Sequence, residues 1–235
     1  MRITLIIIFS IYLHSASGLV NDFRYPEIKS FGKAIADFIP QGWQVVDTAY
    51  GDLNKDTVND LAIVIENKAN DIGGQIVSGS LGQRMLIVLF RTESKYVVKV
   101  CADTAILRSD EGGMGDPYVD LKIANGCLVL YFSGGSSEKW FLTYRFRFQN
   151  NDFFLIGATL TYLHFEESKS GEIITNSICY DYNLSTSILE TIAQGGKNSK
   201  NRSNKKQKMK PISLPRLNTF APWHLVIDEK NGIVF

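Results

Sequence analysis

The chain has 235 residues, 25 of them lysine or arginine and 24 aspartate or glutamate, and 45% of its side chains are apolar. That length suits one compact domain, or at most two. The charge is uneven: the tract 197–210, KNSKNRSNKKQKMK, holds seven basic residues and no acid, which leaves the rest of the chain beyond residue 18 at 17 basic against 24 acidic. An acidic body argues against nucleic acid as a partner.

Residues 1–18, MRITLIIIFSIYLHSASG, place Arg2 ahead of an apolar stretch that ends in small residues at Ser15, Ala16, Ser17 and Gly18. This is the pattern of a secretory signal peptide, and the apolar stretch falls well short of the roughly 20 residues a membrane-spanning helix needs. The sequence predicts an exported protein, periplasmic or secreted, with no transmembrane segment after signal removal and a single domain over 19–235. Three cysteines, Cys101, Cys127 and Cys179, permit at most one internal disulfide. Cys101 and Cys127 bound apolar runs, and a chain of this length builds its core without a covalent staple, so free thiols are the preferred reading.

Over 25–39, Ile28, Phe31, Ile35, Phe38 and Ile39 recur at spacings that share one helical face, with Pro26 suited to a first turn and Pro40 and Gly42 to a stop. A short amphipathic N-terminal helix is predicted there. Beyond it the period changes to two, and β-branched and aromatic residues recur in segments separated by turn signals. Strands are predicted over 43–49, 61–66, 84–90, 96–101, 118–124, 127–133, 140–149, 153–164, 173–181 and 223–228, with a further short one at the C-terminus. Asn125-Gly126 suits a type I′ hairpin turn, and a second hairpin turns around Asn150 to Asp152. Such connections make antiparallel pairing the default. The class is therefore mainly β, a β-rich α+β fold of antiparallel sheets from consecutive hairpins with one short helix. The basic tract, bounded by residues 195–211, has too few apolar side chains to offset its ordering entropy and is predicted to be a flexible loop, the sharper alternative being a binding arm for anionic lipid or polysaccharide.

The segment GDLNKDTVNDLAIV carries the one concentrated chemical signal. Counted from Asp52, oxygen-bearing side chains fall at loop positions one, three, five and nine, namely Asp52, Asn54, Asp56 and Asp60, and the carbonyl of Val58 falls at position seven. Alternate oxygens converging in a tight loop suit Ca²⁺, a hard cation that takes six to eight of them, and a divalent ion relieves the mutual repulsion of three carboxylates. Position twelve is Ile63, where an EF-hand has a bidentate glutamate, and the flanks read as strands rather than helices. Asx turns are the metal-free alternative for the same residues.

The loop resembles the calcium loops of the FG-GAP and VCBS repeat families, matching at Gly51, Asp52, Asn54, Asp56, Asp60 and Leu61. The resemblance implies that the side chains of Asp52, Asn54, Asp56 and Asp60 are ligands. It departs at Thr57, where the families have glycine. The order GDPYVDLKIANGCLVLYFSGG, FRFQNNDFFLIG and SICYDYN is similar to a group of uncharacterised bacterial exported proteins with a single copy of the motif. A complete propeller needs several copies, so a smaller sheet assembly is expected.

Enzyme signatures are sparse: the sequence has no HExxH, GxSxG or P-loop. His164 and His224 lie in apolar, strand-like contexts, and SDEGGMGDPYVD gathers Asp110, Glu111, Asp116 and Asp120 in a glycine-rich connection. The leading expectation is a non-enzymatic exported binding or structural module with one Ca²⁺ loop, whose partner is an envelope protein or polysaccharide. The alternatives are a glycoside hydrolase acting on envelope polymers through paired carboxylates drawn from residues such as Glu66, Asp116 and Glu138, and an inhibitor or immunity-type protein presenting aromatic residues around Trp140.

Overall fold

The computed structural model describes residues 23–68, 82–167, 171, 173–195 and 201–235. The expected signal peptide at 1–18 lies outside the described residues, as do residues 196–200 of the basic tract. Strand accounts for 58% of the structure and no helix reaches seven residues, so the fold is mainly β, with no closed barrel or propeller.

Five strands, β1 (Phe31–Gly32), β2 (Trp43–Gly51), β3 (Asp60–Asn67), β4 (Arg84–Arg91) and β5 (Tyr96–Ala102), form one sheet in the order β1-β5-β4-β3-β2. Seven more form a second sheet in simple sequence order: β6 (Tyr118–Ala124), β7 (Cys127–Gly135), β8 (Glu138–Gln149), β9 (Asp152–Glu167), β10 (Ile173–Asn183), β11 (Ile188–Gly195) and β12 (Asn201–Lys208). The C-terminal pair β13 (Val226–Asp228) and β14 (Ile233–Val234) stands apart from both. Every pairing is antiparallel, and the hairpin turns are the expected ones: Asn125 and Gly126 have φ of 53° and 69°, and Asn150 and Asn151 have 49° and 62°. These left-handed values match the strand twist, and asparagine and glycine adopt them at least cost.

The larger core lies between the sheets. Ala62, Val64, Leu86 and Val88 of the first sheet face Leu128, Leu130, Leu142, Tyr144, Phe146 and Leu160 of the second. The other face of β3 and β4 is equally apolar: Leu61, Ile63, Ile65, Met85, Ile87 and Leu89 pack under the N-terminal segment with Phe38 and Trp43. Both strands are thus covered on two sides, which explains their unbroken apolar runs. The C-terminal segment packs against both sheets, with Thr104 donating to the Phe220 carbonyl at 2.7 Å, Phe220 edge-on to Tyr144 at 4.6 Å and Trp223 edge-on to Trp140 at 5.1 Å.

Three elements depart from the sequence reading. The N-terminal helix reduces to a four-residue 3-10 turn, Ile35–Phe38, preceded by β1. The apolar residues still bury: Ile28, Ile35, Phe38 and Ile39 line the second core, whereas Phe31 turns outward at 61% exposure. Glycine at position 32 breaks the helix. The chain doubles back so closely there that a Cβ on Gly32 would lie 2.6 Å from the Cβ of Asp37, whose carboxylate accepts the N–H groups of Lys33 (2.8 Å) and Ala34 (3.0 Å). β1 then pairs with β5, and Val98 N–H donates to the Ser30 carbonyl at 2.9 Å.

The second departure is the basic tract, which is not a flexible loop over 201–208 but strand β12, paired residue for residue with β11. It buries nothing, yet the ladder satisfies the half of its backbone that faces β11, Asn204 donates to Glu190 (2.7 Å) and Lys206 pairs with Glu190 (3.1 Å). Ordering is offset here by hydrogen bonds rather than by burial. The third is β11, ILETIAQG, for which no strand was predicted, although Ile188, Thr191 and Ile192 supply the usual β-branched residues.

Candidate functional site

The loop 52–60 joins β2 to β3 at one end of the smaller sheet, and its carboxylates are spent on its own backbone. Asp52 Oδ1 accepts Lys55 N–H (2.6 Å) and Asp56 N–H (3.2 Å), and its Oδ2 accepts Thr57 N–H (2.9 Å). Asn54 Oδ1 accepts Asp56 N–H at 3.0 Å while its amide donates to Asp56 Oδ2 at 2.9 Å, and Asp56 Oδ1 accepts Val58 N–H at 2.8 Å. These are nested Asx turns. Asp60 is different, being fully buried, with Oδ2 accepting Leu53 N–H (2.9 Å) and Oδ1 accepting Arg91 N–H (3.1 Å) from the far end of β4. Burial, with a contribution from the Asp56 charge, pushes the Asp60 carboxyl above its usual range against those hydrogen bonds.

Two loop residues are held left-handed, Lys55 at φ 68° and Thr57 at φ 70°. Thr57 is β-branched, so its left-handed backbone bears a penalty of about 1–2 kcal/mol. The donor types suit a hard cation, and in the loop as folded their oxygens accept backbone N–H groups. Among the described residues no three His, Cys, Asp or Glu side chains gather as a metal-holding group. Asp60 is buried and accepts the N–H groups of Leu53 and of Arg91 on β4, while Asp56 is exposed. As folded, the loop is a hydrogen-bonded strand connector.

A second polar assembly, missed in the sequence, ties the sheets together. The Arg84 side chain, 2% exposed, donates through Nε to Glu66 Oε1 (3.0 Å), through Nη1 to the Leu107 carbonyl (3.1 Å) and to Asp116 Oδ1 (2.7 Å), and through Nη2 to Asp116 Oδ2. It also lies 5.6 Å from the centre of the Tyr118 ring. The guanidinium holds the Asp116 carboxyl below its usual range, and Asp116 and Glu66 together raise Arg84 despite burial. Tyr118 in turn donates to Asp47 Oδ2 at 2.9 Å, and that same oxygen accepts Leu121 N–H at 3.1 Å. Asp47 and Tyr118 sit beside β-bulges in the facing edge strands β2 and β6, so one aspartate closes the seam between the sheets. Burial, reinforced by the Asp47 bond, drives the Tyr118 phenol far above its ordinary pKa and keeps it a donor. One sequence signal was present: Arg84 opens an apolar strand in register with Glu66 near the end of another.

The remaining candidates are dispersed. Every acid of the glycine-rich stretch has a cation: Asp110 and Glu111 pair with Arg108, Asp116 with Arg84 and Asp120 with Lys122. Glu138 lies elsewhere, 3.2 Å from His164 Nδ1, whose Nε2 is 3.2 Å from Glu166. Trp140 is half-buried against the core, packing on Trp223 and covering Gly134, where a Cβ would meet the indole at 2.4 Å. Cys101, Cys127 and Cys179 are free thiols, and burial pushes Cys101 up to about 11. No described helix is long and apolar enough to cross a membrane. Comparison with protein-family models, with curated proteins and with solved structures found no match.

Proposed function

We propose that this chain is a non-enzymatic, exported binding or structural module in which the loop 52–60 takes up Ca²⁺ weakly and only by rearranging. The observation that carries the non-enzymatic reading is the neutralisation of the acidic candidates. Glycoside cleavage by two carboxylates needs one to serve as an acid and the other to stand free on the opposite side of the bond. Glu66 and Asp116 instead share one guanidinium, and Glu138 lies beside His164 in another part of the larger sheet.

The calcium part rests on the oxygens at Asp52, Asn54, Asp56, Val58 and Asp60 and on the left-handed Lys55 and Thr57 that turn the loop tightly between the two strands. Each carboxylate oxygen that accepts one N–H keeps a second lone pair, but convergence on an ion requires Asp56 and Asn54 to leave their mutual bond. That rearrangement, and the absence of a glutamate at position twelve, place affinity at about 10⁻⁴ to 10⁻³ M. Calcium titration followed by melting temperature is the test. A rise at millimolar Ca²⁺ that is absent in Asp56→Ala and reached at lower Ca²⁺ in Thr57→Gly supports the reading. An unchanged Tm in wild type and both variants removes the ion and leaves the loop a connector.

A further inference from the structure

The larger sheet ends on one side at β6, whose edge is tied to β2 through Asp47, and on the other at β12, whose one strand neighbour among the described residues is β11. Every residue of β12 is exposed. An eight-residue terminal strand presents a row of backbone donors and acceptors to any extended chain that approaches it. Arg202, Lys205, Lys206 and Lys208 supply four cations to this edge and no acid offsets them within the strand. Lys206 is drawn onto Glu190 and Lys208 onto the Thr186 carbonyl, whereas neither Arg202 nor Lys205 forms a close ion pair among the described residues, Arg202 acting on Glu190 only at longer range.

We propose that β12 is a docking edge that accepts an extended acidic segment of a partner polypeptide as an eighth strand of the larger sheet. Two features select that occupant. The backbone row is met in full only by another polypeptide strand, since a polysaccharide cannot continue a peptide ladder. The charge rejects a second copy, because β12 against β12 places lysines and arginines opposite one another, and like charges across a strand pair are destabilising. By the alternation of the strand, Arg202, Asn204, Lys206 and Lys208 point to one face, and Asn201, Ser203, Lys205 and Gln207 to the other. A segment with glutamate at every second position and threonine between therefore meets three of the four cations along one face.

The proposal rests on the binding-module reading but not on the calcium loop, so its test is run in EDTA. The probe is a peptide of alternating threonine and glutamate, compared with the same peptide N-methylated at alternate amides and with heparin, each followed by fluorescence anisotropy. Binding of the parent peptide, its loss on N-methylation and a roughly tenfold weakening in the Arg202→Glu, Lys206→Glu double variant are the expected results. Equal binding of the N-methylated peptide or of heparin reduces the edge to a nonspecific polyanion site, and no binding of the parent peptide at millimolar concentration also overturns the proposal. Lys206→Glu sets a carboxylate opposite Glu190, so a small fall in Tm accompanies the double variant, whereas Arg202→Glu alone leaves that pair intact and is expected to lose affinity with Tm unchanged. Failure here with a persistent calcium shift in a separate titration leaves the module reading standing, and the reverse outcome removes only the ion.

Discussion

The pairs β3–β4 and β11–β12 are both antiparallel neighbours, yet they are ordered by opposite means. From Asp60 to Ile65 and from Arg84 to Leu89 no residue of β3 or β4 is open to solvent, and apolar layers press on both faces. Along β12 nothing is buried at all, and β11 contributes one fully buried apolar side chain, Leu189. The first pair is held by exclusion of water, the second by its ladder and by charge pairs at Glu190 that are exposed and therefore weak. A strand can thus be fixed in this molecule without any hydrophobic signature.

The largest expected effect lies at the doubly covered centre. Ile63→Ala leaves a cavity that neither face can collapse to fill, and a loss of about 2–5 kcal/mol in chemical denaturation is expected. A loss under 1 kcal/mol would break the contrast, because it would mean that the N-terminal cover is loosely seated.

The next effect sharpens the contrast by asking what a buried charge contributes where both faces are apolar. Arg84→Met leaves Glu66 and Asp116 unpaired. Since Asp116 is 46% exposed and can rehydrate, a loss of about 2 kcal/mol is expected, below the range of about 3–5 kcal/mol for a fully buried pair. The pH dependence separates charge from packing. Asp116 is lowered in the folded state, so its contribution is present above its unperturbed value of 3.8 and is lost as pH falls through the lower folded value. Denaturation midpoints measured from pH 7 to pH 2 should flatten at the acid end in Asp116→Asn, and an unaltered acid limb in that variant would show that Arg84 acts by packing alone.

The smallest effect is at the margin. Lys205→Thr on β12 raises strand propensity without touching a core, and a change within about ±0.5 kcal/mol is expected in the same measurement. A larger loss would place Lys205 in a contact that the open edge does not have.

The same contrast explains what was legible in the sequence. Runs such as LAIVIE and RMLIVLF announce β3 and β4 because burial selects their residues, and Asn125-Gly126 announces its turn because few residues tolerate that backbone. NRSNKKQK gave no sign of β12, since its partner supplies what its composition lacks. The N-terminal segment misled for the opposite reason: its apolar spacing was real and its residues do bury, but Gly32 and the open edge of β5 favour an extended path. At the candidate loop the residue types were legible and the hydrogen bonds were not, because an aspartate that accepts from its own backbone and one that faces an ion occupy the same positions in a sequence. Arg84 and Asp47 act across elements far apart in the chain, and pattern within one element does not report them.

The closed seam at Asp47 has a bearing on how the sandwich breathes. One carboxylate oxygen gathers a phenol and a backbone amide from the opposite sheet, so the β2 and β6 margins separate only when both bonds break together. Amide hydrogen exchange at Leu121 is therefore expected to be slow, and the sandwich is expected to open from the β12 side, as a book turns about its spine.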